Sequence, residues 1–542
     1  MKKILSSILL TIPMIVTAQV GVDAYVVSQS DLKGTARYMS MAGAYGALGG
    51  DLTAITQNPG GIGVYRSSDI GITFDLDLQS TESRANGLAT KNSQTKFYVN
   101  NFGYVGSFKL DSETMPYINF GFSYNRPVSY NRRYGGEIGN IKSSLTNYIS
   151  KITNDGGYNS NDLAFYNDYD PYIHSNAPWL SVMAYNAYVM NPTTFNQVGY
   201  GSNFVGLMNS ATQGFSEYEV IEKGGVDEFN VNFGGNLADM LYWGVALGVS
   251  SMDQSRYTYY GEGLSSASVP SESHLGDPID KNGIASFGLE NWLDTSGDAW
   301  NFKFGIIFKP INELRLGASI HTPTYWTLTD VIFSTMSYGV ENSQGNIIEG
   351  NEDANAGYTD EITYQVYTPW KFSVSAAAVV GTKGLISFDY ERIAYDDMKV
   401  KYNDGWNDYC EDVLVKNNIK NVYQAMNVYR VGGEYRLTPQ LSLRLGYAYQ
   451  SSPVKDEAYF GRTEVLTAGT TPAYTFDKSI QYITGGLGYK NKGFYTDFAF
   501  VHKKRESQYN AFTPYTGENN KSPQAFVKDN NNEIVWTLGY RF

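Results

Sequence analysis

Thr35-Ala36-Arg37-Tyr38-Met39-Ser40-Met41-Ala42-Gly43-Ala44-Tyr45-Gly46-Ala47-Leu48-Gly49-Gly50-Asp51-Leu52-Thr53-Ala54-Ile55-Thr56-Gln57-Asn58-Pro59-Gly60-Gly61-Ile62-Gly63-Val64 is the stretch that decides how this chain is read. Glycine and small side chains crowd it too densely for a regular amphipathic element, and they suit a compact segment whose backbone lies close against surrounding walls. Asn58-Pro59-Gly60-Gly61 reads as a turn, because Pro fixes φ, Asn bonds its own backbone and the glycines permit positive φ. The chain is then redirected into a first strand.

From Ser68 onward, stretches of alternating character recur. Ile118 to Tyr124, Phe302 to Ile306 and Leu441 to Tyr449 each place apolar or aromatic residues at every second position, with small, polar or charged residues between them. One face is expected to meet lipid and the other a polar interior. The pattern predicts about fourteen strands, near 68–80, 96–110, 116–130, 226–236, 240–260, 299–309, 313–335, 361–380, 384–400, 421–437, 440–451, 478–490, 493–508 and 533–542.

Between them, short connections (Leu110 to Pro116, Gly234 to Leu241, Lys309 to Glu313, Gly381 to Gly384, Leu437 to Gln440, Lys490 to Gly493) alternate with long ones. That is the layout of an antiparallel barrel with tight turns at one end and long loops at the other, and an even count brings both termini to the short-turn, periplasmic end. The last residues put Ile534, Trp536, Leu538, Tyr540 and Phe542 on one face. As the edge of a soluble sheet such a face would invite aggregation. The aromatic final residue also resembles the signal read by the barrel assembly machinery.

The Gly-rich segment followed at once by strands resembles the amino-terminal hatch of the FadL family of outer-membrane transporters for hydrophobic compounds. The resemblance rests on Ala36-Arg37 with small and Met residues to Met41, Gly43-Ala44, Asp51 to Ile55 and Asn58-Pro59. Ala42 departs from it, standing where a first Gly is usual, and so does Gly60, where Ala is usual. The resemblance implies an all-β membrane protein, a transmembrane β-barrel with its N-terminal segment as a plug in the lumen. Arg37, Gly43, Asp51, Asn58 and Pro59 carry the hatch motif. It further implies a long-chain fatty acid or similar hydrophobic small molecule as ligand, passing by diffusion, with release sideways near the third strand.

Composition agrees. The 542 residues include 45 Tyr, 27 Phe and 55 Gly, with 18% charged, and no change of composition divides them. Mean hydropathy is −0.33, as expected where apolar and polar residues alternate rather than segregate. Lys2 and Lys3, an apolar run from Ile4 to Val16, and Thr17-Ala18 predict a signal peptide over 1–18, since the run is short for a span and contains Ser6, Ser7 and Pro13. The predicted layout is therefore a signal peptide (1–18), a plug (19–66) and a barrel (67–542), in the outer membrane of a double-membraned bacterium and in contact with its lipid. The formal charge of −13 argues against nucleic acid. A lone Cys410 excludes an internal disulfide framework and is read as a loop residue without a role. No cofactor is expected, and the chain is expected to act as a monomer.

The gap from 131 to 225 is too long for a plain loop. Ile138, Ile141, Leu145, Tyr148, Ile149 and Ile152 predict a short amphipathic helix. Trp179, Leu180 and Met183 form a second apolar cluster and Phe204 lies in a third; in the resembled family such external material builds an apolar groove that first catches ligand. The alternative is that they form the small core of a folded loop.

About fourteen strands enclose a lumen that leaks unless occupied, and the segment before Arg66 is the available plug. Pro127, in Asn125-Arg126-Pro127, cannot donate a ladder bond, so it either opens the sheet beside a lateral gate running from Gly121 or ends the strand. Lys303, Arg315, Asp389, Glu391, Arg430, Glu434, Arg444 and Asp497 should point inward. Such charges pair across strands or receive an anionic head group, with Arg430 and Arg444 as candidate partners of a carboxylate.

Catalysis is not expected. His321 and Ser319 share a face but sit roughly 6.5 Å apart along a strand, too far to bond directly, and four histidines form neither triad nor metal cluster. The acidic run Asp396-Asp397, Asn403-Asp404, Glu411-Asp412 lacks an ordered calcium loop. Two non-enzymatic alternatives remain: a barrel serving as surface receptor or secretion scaffold, and a general porin.

Overall fold

The computed structural model describes residues 21–195, 200–270, 279–342, 344–402, 409–514 and 522–542. The predicted signal peptide lies outside the described residues. Fourteen antiparallel strands close into a cylinder. They are β1 (Asp69–Ala85), β2 (Leu88–Lys109), β3 (Tyr117–Ser129, continued by Arg132–Gly139), β4 (Gln213–Leu237), β5 (Leu241–Pro270), β6 (Ile279–Ile311) and β7 (Leu314–His321 and Tyr325–Glu341). The remainder are β8 (Asp360–Tyr367 and Lys371–Val380), β9 (Gly384–Ala394, continued by Lys399–Tyr402), β10 (Ala425–Arg436), β11 (Leu441–Gln450), β12 (Tyr474–Asn491), β13 (Phe494–Asn510) and β14 (Gln524–Arg541).

Closure is made by β14 on β1, with Trp536 opposite Phe74 and Ile534 opposite Leu76. The terminal strand is thus paired on both sides, and Ser68 and Phe542 exchange backbone bonds of 2.9 and 3.0 Å at the short-turn end. Alternation along the strands sorts side chains as the sequence predicts. Phe302 and Phe304 are exposed while Lys303 between them is buried, and Ile534, Trp536 and Tyr540 are exposed while Glu533, Val535 and Thr537 are buried. The outward aromatics form the lipid-facing surface that a barrel needs.

Several strands run much further than expected. β6 spans 33 residues, beginning some twenty residues before its predicted start, which at about 3.3 Å per residue is on the order of 100 Å. The sequence hides this extension because its outer half mixes Phe287 and Leu289 with Asn291 and Thr295 on the inner face, and Ile284 and Trp292 with Glu290 and Asp298 on the outer, so no clean alternation marks it. The predicted helix is also displaced. Ile138 belongs to the continuation of β3, and the helix runs Leu145–Asp155, capped by Ser144. Gly139-Asn140 and Lys142-Ser143-Ser144, turn-prone residues ending in the Ser cap, interrupt the three-four spacing that suggested an earlier start.

Candidate functional site

Residues 21–66 fill the barrel as a plug. Its first helix, α1 (Gly21–Ser28), inserts Tyr25 between Tyr395 and Tyr423, with ring centroids at 5.3 and 5.4 Å, and the Tyr25 hydroxyl donates to Asp477 at 2.8 Å. A second helix, α2 (Ala36–Ser40), starts at Thr35, whose hydroxyl accepts from Tyr38 N–H and donates to Asp51. Asp51 in turn accepts from the Thr53 and Ala54 amides at 2.9 and 3.3 Å. Asp51 therefore holds two turns of the plug together from within.

Asn58 makes the corresponding link to the wall. Its Oδ1 accepts from Gly60 N–H at 3.0 Å, and its Nδ2 donates to Gly46 O at 2.6 Å and to Ile306 O of β6 at 3.1 Å. Pro59 and Gly60 lie so close to β5 and β6 that a Cβ at Gly244 would strike the Pro59 carbonyl and one at Gly305 would strike Asn58. Gly43 has φ of +75°, as its glycine leads one to expect, and Ala42 has φ of +51°. That left-handed backbone at 42 explains why Gly is the usual residue there.

Buried wall groups bind the plug. Asp389 accepts from the Tyr45 and Gly46 amides at 3.0 and 2.8 Å, and Ser319 and His321 both bond Gln57 O, at 3.0 and 2.8 Å. The Ser–His face considered for catalysis is thus a clamp on the plug. Lys33 reaches Asp75 at 2.7 Å and Glu533 at 2.9 Å; burial alone would lower its pKa, yet these carboxylates hold it well above the usual value. Burial works in the opposite sense on Asp31, and the neighbouring Lys503 and Arg505 overcome it, keeping that carboxyl below its usual range.

Arg430 and Arg444 both point inward and both have carboxylate partners. Arg430 pairs with Glu391 at 2.9 Å. Arg444 pairs with Glu434 at 2.6 Å and Asp497 at 2.5 Å, and Arg37 of the plug approaches the same Glu434 at 3.4 Å.

The wall is discontinuous beside Pro127. β2 and β3 pair from Lys109–Tyr117 as far as Asn101–Asn125 and no further, while β2 stays paired with β1 out to Leu88. On the other side the β3–β4 register shifts between Asn125 and Val128. The residues of β2 from 88 to 99 therefore have strand partners only in β1, leaving a seam against the outer half of β3. Side chains close it: Tyr98 hydroxyl meets Ser129 Oγ at 3.1 Å, Asn131 donates to that hydroxyl at 2.7 Å, and Arg126 lies 4.8 Å over the Tyr98 ring. Gly121 is not part of the break, since it is paired to Val105 on one side and Asn232 on the other. It faces Ile55 and Ile62 of the plug, and its missing Cβ makes room for them.

The external apolar clusters are closed rather than open. Leu180, Met183 and Phe204 are buried in one core with Ile149, Leu264 and Val340, and Trp179 packs on it half-buried. They hold the helices of the insertion onto the extended strands beneath, which is the folded-loop core; burial of their faces by the long outer strands is what the sequence did not disclose. Between this cap and the plug lies a cavity of about 60 Å³, bordered by Val22, Tyr130, Arg132, Glu222 and Arg505 and reaching Ser129 at the seam. Among the described residues no group of acidic, His or Cys side chains has metal-site geometry, and Asp412, from the acidic run, caps the helix Val413–Val422. Asn403 and Asp404 lie outside the described residues.

A closed fourteen-stranded cylinder, lipophilic outside, polar within and stoppered by its own leading segment, defines an outer-membrane barrel with an internal plug. Residues 278–474 match the family model described as outer membrane protein transport protein (OMPP1/FadL/TodX). Its place is accordingly the bacterial outer membrane. The fold is similar to that of a Pseudomonas aeruginosa FadL homologue, with 11% identity, 95% of this chain and 99% of that chain covered and a TM-score of 0.50. It is also similar to a TodX monoaromatic hydrocarbon channel deltaS2 mutant, with 13% identity, coverage of 94% and 100% and a TM-score of 0.50. The Pseudomonas putida toluene transporter TodX aligns with 13% identity, coverage of 94% and 99% and a TM-score of 0.48. No curated protein matches the chain.

Proposed function

We propose that the protein carries hydrophobic small molecules, of the long-chain fatty acid or monoaromatic type, inward across the outer membrane by diffusion, releasing them sideways through the β2–β3 seam. The observation that carries this reading is the seam itself, a break in the wall closed by side chains, with a lumenal cavity against its inner side. A cylinder that only needed to be sealed would gain from completing that ladder, since each missing backbone bond forgoes about 1 kcal/mol. A long acyl chain supplies the driving force, at about 0.8 kcal/mol for each methylene buried. Arg430 and Arg444 remain candidate head-group contacts only if the ligand displaces Glu391, or Glu434 and Asp497. The test is mass spectrometry of small molecules that copurify with the protein, combined with uptake of labelled oleate and toluene by cells with and without it. Enrichment and faster uptake of one class names the cargo.

The closed cap core and the small cavity above the plug favour a second reading, a non-transporting surface receptor or secretion scaffold. Absence of both copurified ligand and any change in uptake would select it.

A further inference from the structure

A second cavity, of about 350 Å³, opens beside the plug at the short-turn end, remote from the seam. Four arginines line it: Arg37 from the plug, Arg66 from the segment entering β1, Arg315 from β7 and Arg541 from the end of β14. Among the described residues its lining contains no Asp or Glu. In a chain of net charge −13 this is a local reversal of sign. The remaining wall is apolar, with Val64, Val379 and Leu385 among its members.

Three of the arginines spend their charge elsewhere. Arg37 leans on Glu434 at 3.4 Å, Arg66 on Asp239 at 2.6 Å and Arg541 on Asp69 at 3.0 Å. Arg315 differs: it donates to the Leu48 carbonyl at 2.8 Å and forms no ion pair among the described residues. A guanidinium with five donors, satisfied by one carbonyl and facing an acid-free cavity, has the geometry for a planar bidentate oxyanion.

We propose that this mouth cavity is a binding site for a small amphiphilic anion, a carboxylate on a compact apolar body, with Arg315 as its anchor. The volume falls at the lower end of the range of small-molecule sites, the apolar wall takes the body, and Arg66, whose side chain is 42% exposed, marks the entrance from the periplasm. The assignment stands whether or not cargo crosses the barrel, because the site opens on the periplasmic side of the plug.

The experiment is a ¹⁹F NMR titration of the full mature chain in a non-ionic detergent, with 4-fluorobenzoate as probe and uncharged 4-fluorobenzamide as its counterpart. Saturable binding of the benzoate is expected, weakened roughly tenfold or more by Arg315→Gln, as befits a lost charge-assisted pair, and largely kept by Arg315→Lys. Ala377 lies directly across the β7–β8 ladder from Arg315, so Ala377→Asp supplies an internal carboxylate and is expected to abolish binding in a folded barrel even if Arg315→Gln does not fold. No saturable binding, equal affinity for the benzamide, or unchanged affinity in the folded variants overturns the proposal.

Discussion

The main-chain N–H of Asp31 donates to the carbonyl oxygen of Pro127 at 2.9 Å, fastening the plug to the wall where β3 loses its register with both neighbours. The same Asp31 side chain pairs with Lys503 and accepts from Tyr482 at 3.3 Å. Plug and seam are thus joined by one short stretch of chain, and a movement of either is felt by the other.

Tyr98→Ala tests the seam. The change removes the contacts with Ser129, Asn131 and Arg126, at a cost of about 1–2 kcal/mol for a half-exposed hydrogen-bonded ring. Uptake of labelled oleate or toluene is expected to rise several-fold while the barrel keeps its heat-modifiable mobility on gels. Unaltered uptake of both would argue that cargo does not leave here.

Gly305→Val tests the fit of plug to wall. Its side chain occupies the place of Asn58 Oδ1, so the plug must shift or leave. Planar-bilayer recordings are expected to show stepwise conductance absent from the parent protein. Gly433→Val, where an added Cβ meets its nearest atom at 3.6 Å, is the control expected to stay silent.

Arg444→Ala separates structural from ligand-binding roles for the inward arginines. Arg444, Glu434 and Asp497 have side chains only 6%, 9% and 5% exposed, so removing the cation strands the buried Asp497 carboxylate and leaves Glu434 with the more distant Arg37 alone. A loss of about 3–5 kcal/mol is expected, read as a lowered urea midpoint. Should stability hold while oleate binding fails, Arg444 serves the ligand instead.

Ala42→Gly is expected to be nearly neutral. Relief of the left-handed backbone returns about 1–2 kcal/mol, and loss of a buried methyl with added chain freedom in the unfolded state takes back a similar amount, about 0.8 kcal/mol for the methyl and 0.4–1 kcal/mol for the freedom. Ala42→Val combines the same φ with a β-branched side chain and should loosen the plug, seen as faster hydrogen exchange across 36–46.

The sequence carried the barrel well because its alternation is enforced twice, by lipid outside and by the plug inside. Phe302-Lys303-Phe304 could be sorted by eye, and so could Ile534 to Phe542. The hatch residues were legible for a related reason: apart from the Asn58 bond to Ile306, the partners of Asp51 and Asn58 lie within the same Gly-rich stretch. Less could be read where partners are remote. Nothing near Arg444 in sequence announces Asp497, nothing near Ser319 and His321 announces Gln57, and the acid-free lining around Arg315 is assembled from four separate parts of the chain. Leu180 and Met183 read as one apolar cluster and Phe204 as part of another, but that both are closed into one core depends on outer strands whose length no regular alternation marks.

The bond from Ala36 N–H to Thr537 Oγ1, 2.7 Å long and bridging 501 residues, has a kinetic corollary. The plug precedes every strand of the barrel in the chain, so it cannot complete its native contacts until the final strand is in place. Contacts of such sequence separation carry the largest loop-closure cost, so the seat of the leading segment is finished only when the ring has shut.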